Sequence, residues 1–159
     1  MGGRAGGRKL TAVLAGAAAL VLGATTPANA APSHSDLEVV RIDADPAPPG
    51  GTTSAHGFVA NRGPDRTASP FRVTITLPAG FTFESPTFPA DCRATAGHHV
   101  LTCTFPAGLA PLRTATAIAP VRVDADLPPG TQAEGQVRVY SADDTDGTNN
   151  STPFTLSVS

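Results

Sequence analysis

The most oxygen-rich stretch of the sequence is SADDTDGTNNS, at residues 141–151. Its carboxylates Asp143, Asp144 and Asp146 and the amide of Asn149 could wrap a calcium ion, which takes roughly six to eight oxygen ligands. The spacing departs from the EF-hand loop, because glycine comes immediately after the second acidic position. The alternative is a solvated loop whose Asp and Asn side chains cap their own turn. We favour that alternative, and we expect neither a metal site nor a cofactor.

Two histidines, His98 and His99, are adjacent in the sequence. Neighbouring residues on a strand point to opposite faces, so this pair is poorly placed to chelate one metal ion. We interpret the pair as a hairpin tip that exposes both imidazoles. No H-x-x-x-H or H-x-E pattern accompanies it, and a zinc site is therefore not expected.

Groups suited to catalysis are equally scarce. The sequence has no nucleophile elbow of the form G-x-S-x-G and no evident Ser/His/Asp set on rigid elements. The carboxylate pairs Asp43/Asp45 and Asp124/Asp126 flank predicted turns, where aspartate is common for structural reasons. The sequence therefore predicts a protein that is not an enzyme.

Residues 1–30 indicate where the protein works. Arg4, Arg8 and Lys9 precede an apolar run at residues 10–22, and the small residues Ala28 and Ala30 suit a signal peptidase. This pattern is typical of a secretory signal peptide removed after Ala30. The run is shorter than the roughly 18 apolar residues of a membrane span. We expect a secreted, extracellular chain, either free or associated with the cell surface, with no membrane span after signal cleavage.

The charge of the exported chain limits its partners. Cleavage removes Arg4, Arg8 and Lys9 but none of the 13 acidic residues, which leaves a net acidic chain. Nucleic-acid binders concentrate Lys and Arg on one face, whereas the arginines here are scattered singly along the sequence. Nucleic acid is therefore not an expected partner.

Two cysteines, Cys92 and Cys103, remain in the exported chain. An even count in an oxidising compartment is read most simply as one disulfide. A pair of reactive thiols or a metal pair is the alternative, but the spacing is not that of a redox C-x-x-C motif.

The rest of the chain consists of short alternating runs separated by turns rich in Pro and Gly, the pattern of an all-β protein. Residues 71–77, FRVTITL, show it best, with apolar side chains on one face and Arg or Thr on the other. After a flexible tail at residues 31–35, we expect one antiparallel β-sandwich at residues 36–159. It should contain seven or eight strands, drawn from residues 37–43, 52–61, 71–77, 81–83, 100–105, 114–126, 133–141 and 154–158.

Several landmarks follow one another along the chain: PGG at residues 49–51, NRGP at 61–64, LPAGFTF at 77–83, the paired cysteines and the double Asn at 149–150. In these landmarks the chain resembles the bacterial immunoglobulin-like repeat domain of unknown function found in exported surface proteins, which is related to CARDB-type adhesion modules. The resemblance covers about residues 36–158 and implies an immunoglobulin-like sandwich. Turn and corner motifs of this kind are specific for fold and nearly silent on activity.

The resemblance also orients the second predicted strand. It leaves His56 and Phe58 on the face opposite the inward positions, and an outward aromatic beside a histidine is a candidate binding surface. The alternative is the reversed register, with Phe58 in the core. The residues that match the inward positions are Thr53, Ala55, Gly57 and Val59.

Together these features predict an exported, non-enzymatic immunoglobulin-like module that binds a protein or cell-wall partner, as an adhesion or assembly factor. A carbohydrate or cell-wall binding module is the alternative from another class. The absence of Trp and the single Tyr disfavour it, since sugar platforms generally rely on stacked aromatics. A secreted enzyme inhibitor that presents residues 92–103 as a rigid loop is a third interpretation.

Overall fold

The structure, a computed structural model, describes residues 1–3, 33–144 and 146–159. The predicted signal peptide beyond residue 3, and its cleavage position after Ala30, lie outside the described residues. Within the described ranges, no helix has the length and apolarity needed to cross a membrane.

Nine strands form two antiparallel sheets in the described part of the chain. The four-stranded sheet has the order β1-β2-β7-β4, and the five-stranded sheet has the order β5-β6-β3-β8-β9. The predicted all-β, antiparallel sandwich is thereby confirmed. The strands are β1 (Leu37–Val40), β2 (Thr52–Asn61), β3 (Phe71–Thr76), β4 (Phe81–Phe83), β5 (Arg93–Ala94), β6 (Val100–Phe105), β7 (Thr114–Val123), β8 (Gln132–Ser141) and β9 (Ser151–Ser157).

The alternation of side chains along each strand decides which face is buried. In β3, Phe71, Val73 and Ile75 lie in the core, whereas Arg72 and Thr76 are exposed. Burial of each large apolar side chain stabilises the fold by about 1.5–3 kcal/mol, so a one-residue slip that turned this face to water would be costly. The pattern predicted for residues 71–77 is confirmed.

The two sheets approach each other closely at Gly57 of β2. A Cβ atom built on this residue would lie 2.7 Å from Cγ1 of Val73, which is much shorter than an ordinary contact. Because only glycine fits here, the packing fixes the orientation of β2. Ala55 and Val59 on the same side are also buried.

Strand β1 is shorter than expected, since it ends at Val40 rather than at residue 43. The chain then leaves β2 and runs beside β9. The N–H of Ala44 donates to the carbonyl of Thr155 at 3.1 Å, and the N–H of Ala47 donates to the carbonyl of Ser157 at 3.1 Å. The first segment of the domain therefore contributes to both sheets and covers the edge of β9, where unpaired backbone groups would otherwise invite association.

A carboxylate helps to hold this crossing. Asp43 accepts a hydrogen bond from the N–H of Thr155 at 2.7 Å and another from Nε of Arg41 at 3.0 Å. The bond from the Thr155 backbone, followed by the contact with the Arg41 guanidinium, lowers the pKa of Asp43.

Strand β5 is an addition to the strands that the sequence predicts. It places Arg93 opposite Thr102 of β6, and the disulfide between Cys92 and Cys103 lies at its start. Cys103 is fully buried in the core. The disulfide therefore ties the irregular segment after β4 to the five-stranded sheet, and the predicted pairing is present.

A buried amide holds together the loops at one end of the sandwich. Asn61, with 0% of its surface exposed, accepts hydrogen bonds through Oδ1 from the N–H groups of Asp36 and Gly63. Its Nδ2 donates to the carbonyls of Asp65 and Leu109 at 2.8 and 2.9 Å. These four bonds use the full capacity of the amide. They join the segment before β1, the turn after β2 and the loop between β6 and β7.

Candidate functional site

The acidic loop is held to other parts of the fold by its own carboxylates. Asp143 accepts hydrogen bonds from the N–H and the hydroxyl of Ser69. Asp144 accepts from the N–H of Leu37 at 2.9 Å and from the N–H of Asp146 at 3.1 Å. The contacts with Ser69 and Leu37 reach across the fold, so this loop does more than cap its own turn.

Some further polar groups of the loop are paired, whereas Asn149 Oδ1, Asn150 Oδ1 and Ser151 Oγ are buried without a hydrogen-bond partner among the described residues. Asp146 accepts from the hydroxyl and the N–H of Thr148 at 2.7 and 3.1 Å, and these two bonds lower the pKa of Asp146. The Nδ2 of Asn149 donates to Asp36 at 2.8 Å. Among the described residues, no group of three His, Cys, Asp or Glu side chains is arranged to hold a metal ion. In the structure, the carboxylates of this loop accept hydrogen bonds from backbone and side-chain donors.

The two adjacent histidines lie at the tip between β5 and β6, but they are not equally open to solvent. His98 is exposed, whereas His99 is half-buried. The tip packs on β4, because the carbonyl of His98 accepts the N–H of Phe83 at 2.8 Å and His98 Nδ1 lies 3.2 Å from the Phe83 carbonyl oxygen. The segment at residues 92–103 is thus anchored at its tip as well as at its disulfide.

The candidate binding residues His56 and Phe58 lie on the outer face of the four-stranded sheet. Both are half-buried, while Ala55 and Val59 beside them are in the core. The reversed register, with Phe58 in the core, is not adopted. The physical reason is the close approach at Gly57, which leaves no room for a larger side chain on the inner side.

Cross-strand pairing brings more apolar side chains to these two residues. Val40 lies opposite Phe58 in the β1–β2 register. Ile118 lies opposite His56 in the β2–β7 register, and Phe88 forms a bridge with Ile118 on its other side. Residues directly opposite each other in antiparallel pairs share a face. We call this set, with Pro120 of β7, the apolar face: Val40, His56, Phe58, Phe88, Ile118 and Pro120.

Phe88 is the most open member of the apolar face. The residue is 63% exposed, although its backbone is fixed by two hydrogen bonds with Ile118, of 2.8 and 2.7 Å. A large aromatic side chain on a fixed backbone loses little conformational freedom when it is covered. Phe88 is therefore the side chain of this face best suited to anchor another molecule.

Ion pairs lie at the two ends of the apolar face. Glu38 of β1 pairs with Arg62 just after β2, and Glu84 pairs with Arg122 of β7 at 2.9 Å. An apolar stretch of the face thus lies between two ion pairs, and Asp45, which forms no ion pair among the described residues, borders it beside His56 and Pro120. This distribution is the one found in protein interfaces, where an apolar core is surrounded by a polar rim.

Sequence reasoning found His56 and Phe58 but missed the other apolar members. Ile118 and Pro120 could have been found, because they alternate with the inward residues of β7. Phe88 carries no such signal, since it lies in a proline-containing segment without alternation.

The sequence matches no protein-family model and no curated protein. In fold the chain is similar to BcpA, the major pilin subunit of Bacillus cereus, with a TM-score of 0.51 and 8% identity over 79% of this chain and 39% of the pilin chain. A variant of the same pilin has a TM-score of 0.54 and 9% identity over 79% of this chain and 40% of that chain. A collagen-binding domain from a Staphylococcus aureus adhesin has a TM-score of 0.49 and 7% identity over 80% of this chain and 99% of that domain.

The chain spans about two fifths of the pilin's length. At such low identity the likeness concerns the fold. Together with the two antiparallel sheets and the first segment that contributes to both, it shows that the chain is an immunoglobulin-like β-sandwich.

Proposed function

We propose that the protein is an exported, non-enzymatic binding module whose apolar face docks a partner protein at the cell surface or outside the cell. The observation that carries the proposal is the exposed Phe88, held by its backbone beside Ile118 at the edge of an apolar stretch that two ion pairs flank. Exposed apolar patches rimmed by polar residues mark interaction sites.

The energetic argument rests on the side chains that a partner would cover. Aromatic side chains at the centre of an interface commonly account for much of the binding free energy. The ion pairs Glu38–Arg62 and Glu84–Arg122 would remain at the rim, where they set orientation at little desolvation cost. Phe88, with Ile118 behind it, would supply the affinity.

The proposed extracellular location has its own support. Residues 1–30 have the pattern of a secretory signal peptide, and structural disulfides such as Cys92–Cys103 persist in oxidising compartments. The resemblance to repeat domains of exported surface proteins and the pilin-like fold favour an adhesion or assembly role.

The test is affinity capture from the culture filtrate and wall fraction of the source, with matched variants of the bait. The wild-type protein should retain a specific protein, and Phe88→Ser should lose it, because the anchor is gone while the core is untouched. Leu112→Ser is the control, since Leu112 is another exposed apolar side chain, 78% exposed, in the loop between β6 and β7.

The outcomes separate the candidate functions. A protein retained by wild type and Leu112→Ser but lost with Phe88→Ser supports docking through the apolar face. Retention of a glycan without protein, or of a protein that Phe88→Ser still binds, would contradict it. A retained protease or other hydrolase whose activity falls on binding would instead support the inhibitor interpretation.

A further inference from the structure

The outer face of the five-stranded sheet has a different character from the apolar face. Arg72 of β3, Arg93 of β5 and Arg138 of β8 all lie there, because each is directly opposite an outward residue of a neighbouring strand. Thr74 and Thr102 lie between Arg93 and Arg138 in one row across the sheet. Three strand spacings separate the two arginines of this row, about 14 Å.

These arginines have no carboxylate partner in the part of the chain that the structure describes. By contrast, Arg41, Arg62 and Arg122 each form an ion pair elsewhere. The outward carboxylate nearest along β8 is Glu134, four residues from Arg138, or about 13 Å along the strand. The protein as exported is net acidic, yet this face carries uncompensated positive charge.

Two of the arginines are held in place by neutral neighbours. The Arg72 guanidinium lies 5.3 Å from the centroid of the Tyr140 ring. The Nε of Arg138 donates to Oε1 of Gln136 at 3.1 Å, and its terminal amino groups have no hydrogen-bond partner among the described residues. Both guanidinium groups are therefore oriented without being neutralised, and a guanidinium fork matches a carboxylate or phosphate group.

A shallow depression of about 400 Å³ lies between these side chains, lined by Arg72, Thr74, Thr102, Arg138 and Tyr140. Tyr140 is 62% exposed, and it is the single tyrosine of the sequence. Hydroxyl groups and one aromatic ring beside cationic forks suit a ligand that combines hydroxyls, apolar ring faces and negative charge. This face lacks the apolar centre expected of a protein interface.

We propose that the outer face of the five-stranded sheet binds a polysaccharide that carries carboxylate or phosphate groups. Arg72 and Arg138 bind anionic groups of the polymer, and Tyr140 packs against a sugar ring. Arg93 binds a further anionic group at the other end of the row that it forms with Arg138. This site lies on the sheet opposite the apolar face, so it is independent of the proposed docking of a protein. A module with both sites would connect an anionic surface polymer to a protein partner.

The experiment measures binding of the exported protein to polygalacturonate and to a glycerol-phosphate polymer in a buffer of low ionic strength, with dextran as the neutral control. Wild type should bind at least one anionic polymer and not dextran, and added salt should weaken binding through screening. Arg72→Gln and Arg138→Gln should each weaken it about tenfold, as expected for the loss of one charge-assisted contact. Tyr140→Ala should weaken it less than either arginine variant.

The matched control is Arg113→Gln, which removes the same charge from an exposed arginine just before β7. Its affinity should stay within about twofold of wild type. A thermal melt of each variant should show that these exposed substitutions leave the domain folded.

Three results would overturn the proposal. The first is no binding to either anionic polymer at low salt. The second is an equal loss of polymer affinity with Arg113→Gln, which would show that the effect comes from the overall charge of the protein. The third is binding of polyglutamate or duplex DNA as tight as that of the polysaccharides, which would assign the face to an acidic polypeptide or to nucleic acid. If Phe88→Ser leaves polymer binding unchanged while it abolishes protein capture, the two sites are shown to be separate.

Discussion

Replacing Asn61 by Ala should destabilise the domain severely, although its buried side chain belongs to neither proposed binding face. The side chain is fully buried and makes four hydrogen bonds, to Asp36, Gly63, Asp65 and Leu109. A hydrogen bond contributes about 1 kcal/mol net, and an orphaned buried group costs more. Because some of the freed backbone groups lie near the surface and can reach water, we expect a loss of about 3–4 kcal/mol.

Urea unfolding followed by circular dichroism measures this loss as a shift in midpoint at constant slope. For a domain of this size it corresponds to a Tm lower by about 10–15 °C. Gln132→Ala is the control, because this amide is exposed at the start of β8 and its removal should cost less than about 0.5 kcal/mol. A loss below about 1 kcal/mol for Asn61→Ala would refute the reasoning that one amide holds three segments together.

Four further predictions concern the disulfide, the acidic loop, acid stability and export. Replacing Cys92 and Cys103 together by Ala should lower the free energy of unfolding by about 2–4 kcal/mol; an unchanged urea midpoint would contradict this. Millimolar calcium should raise the Tm by less than about 2 °C, and a rise of several degrees that Asp144→Ala abolishes would assign a calcium site to the loop. Ionised Asp43 stabilises the fold fully above its ordinary pKa of 3.8, and this contribution is lost as the pH falls through the lowered pKa of the folded state. Asp43→Asn should therefore weaken the dependence of the unfolding free energy on pH below 3.8. Urea unfolding at several pH values measures this dependence. The exported protein should begin at Ala31, as intact mass would show; a retained initiator methionine would disprove cleavage.

The sandwich itself could be predicted because its signal is local. Alternation in β3 depends on neighbouring side chains pointing to opposite faces, which holds whatever the strand pairs with. The Pro and Gly turns mark the ends of strands because the backbone preferences of these residues are also local. The boundaries were less accurate where distant contacts decide them: β1 ends at Val40 because the following residues pair with β9.

The residues of the proposed binding surfaces could be predicted only in part. His56 and Phe58 follow from the orientation of a single strand, which the packing at Gly57 confirms. Phe88 reaches the same face through a bridge to Ile118, and nothing in its own segment predicts that pairing. The partners of Asn61 are similarly distant, since Leu109 lies 48 residues away in the sequence.

The arginines show most clearly which features the sequence determines and which depend on the tertiary structure. The sequence alone determined the composition of the chain, its net acidic charge, its strand pattern and its paired cysteines, all of which depend on residue type or on near neighbours. It showed arginines scattered singly. Only the tertiary structure decided that Arg72, Arg93 and Arg138 share one sheet face and form no ion pair among the described residues, while Arg41, Arg62 and Arg122 are paired. The physical reason is that strand order is set by packing of the buried faces, and this packing determines which outward side chains become neighbours.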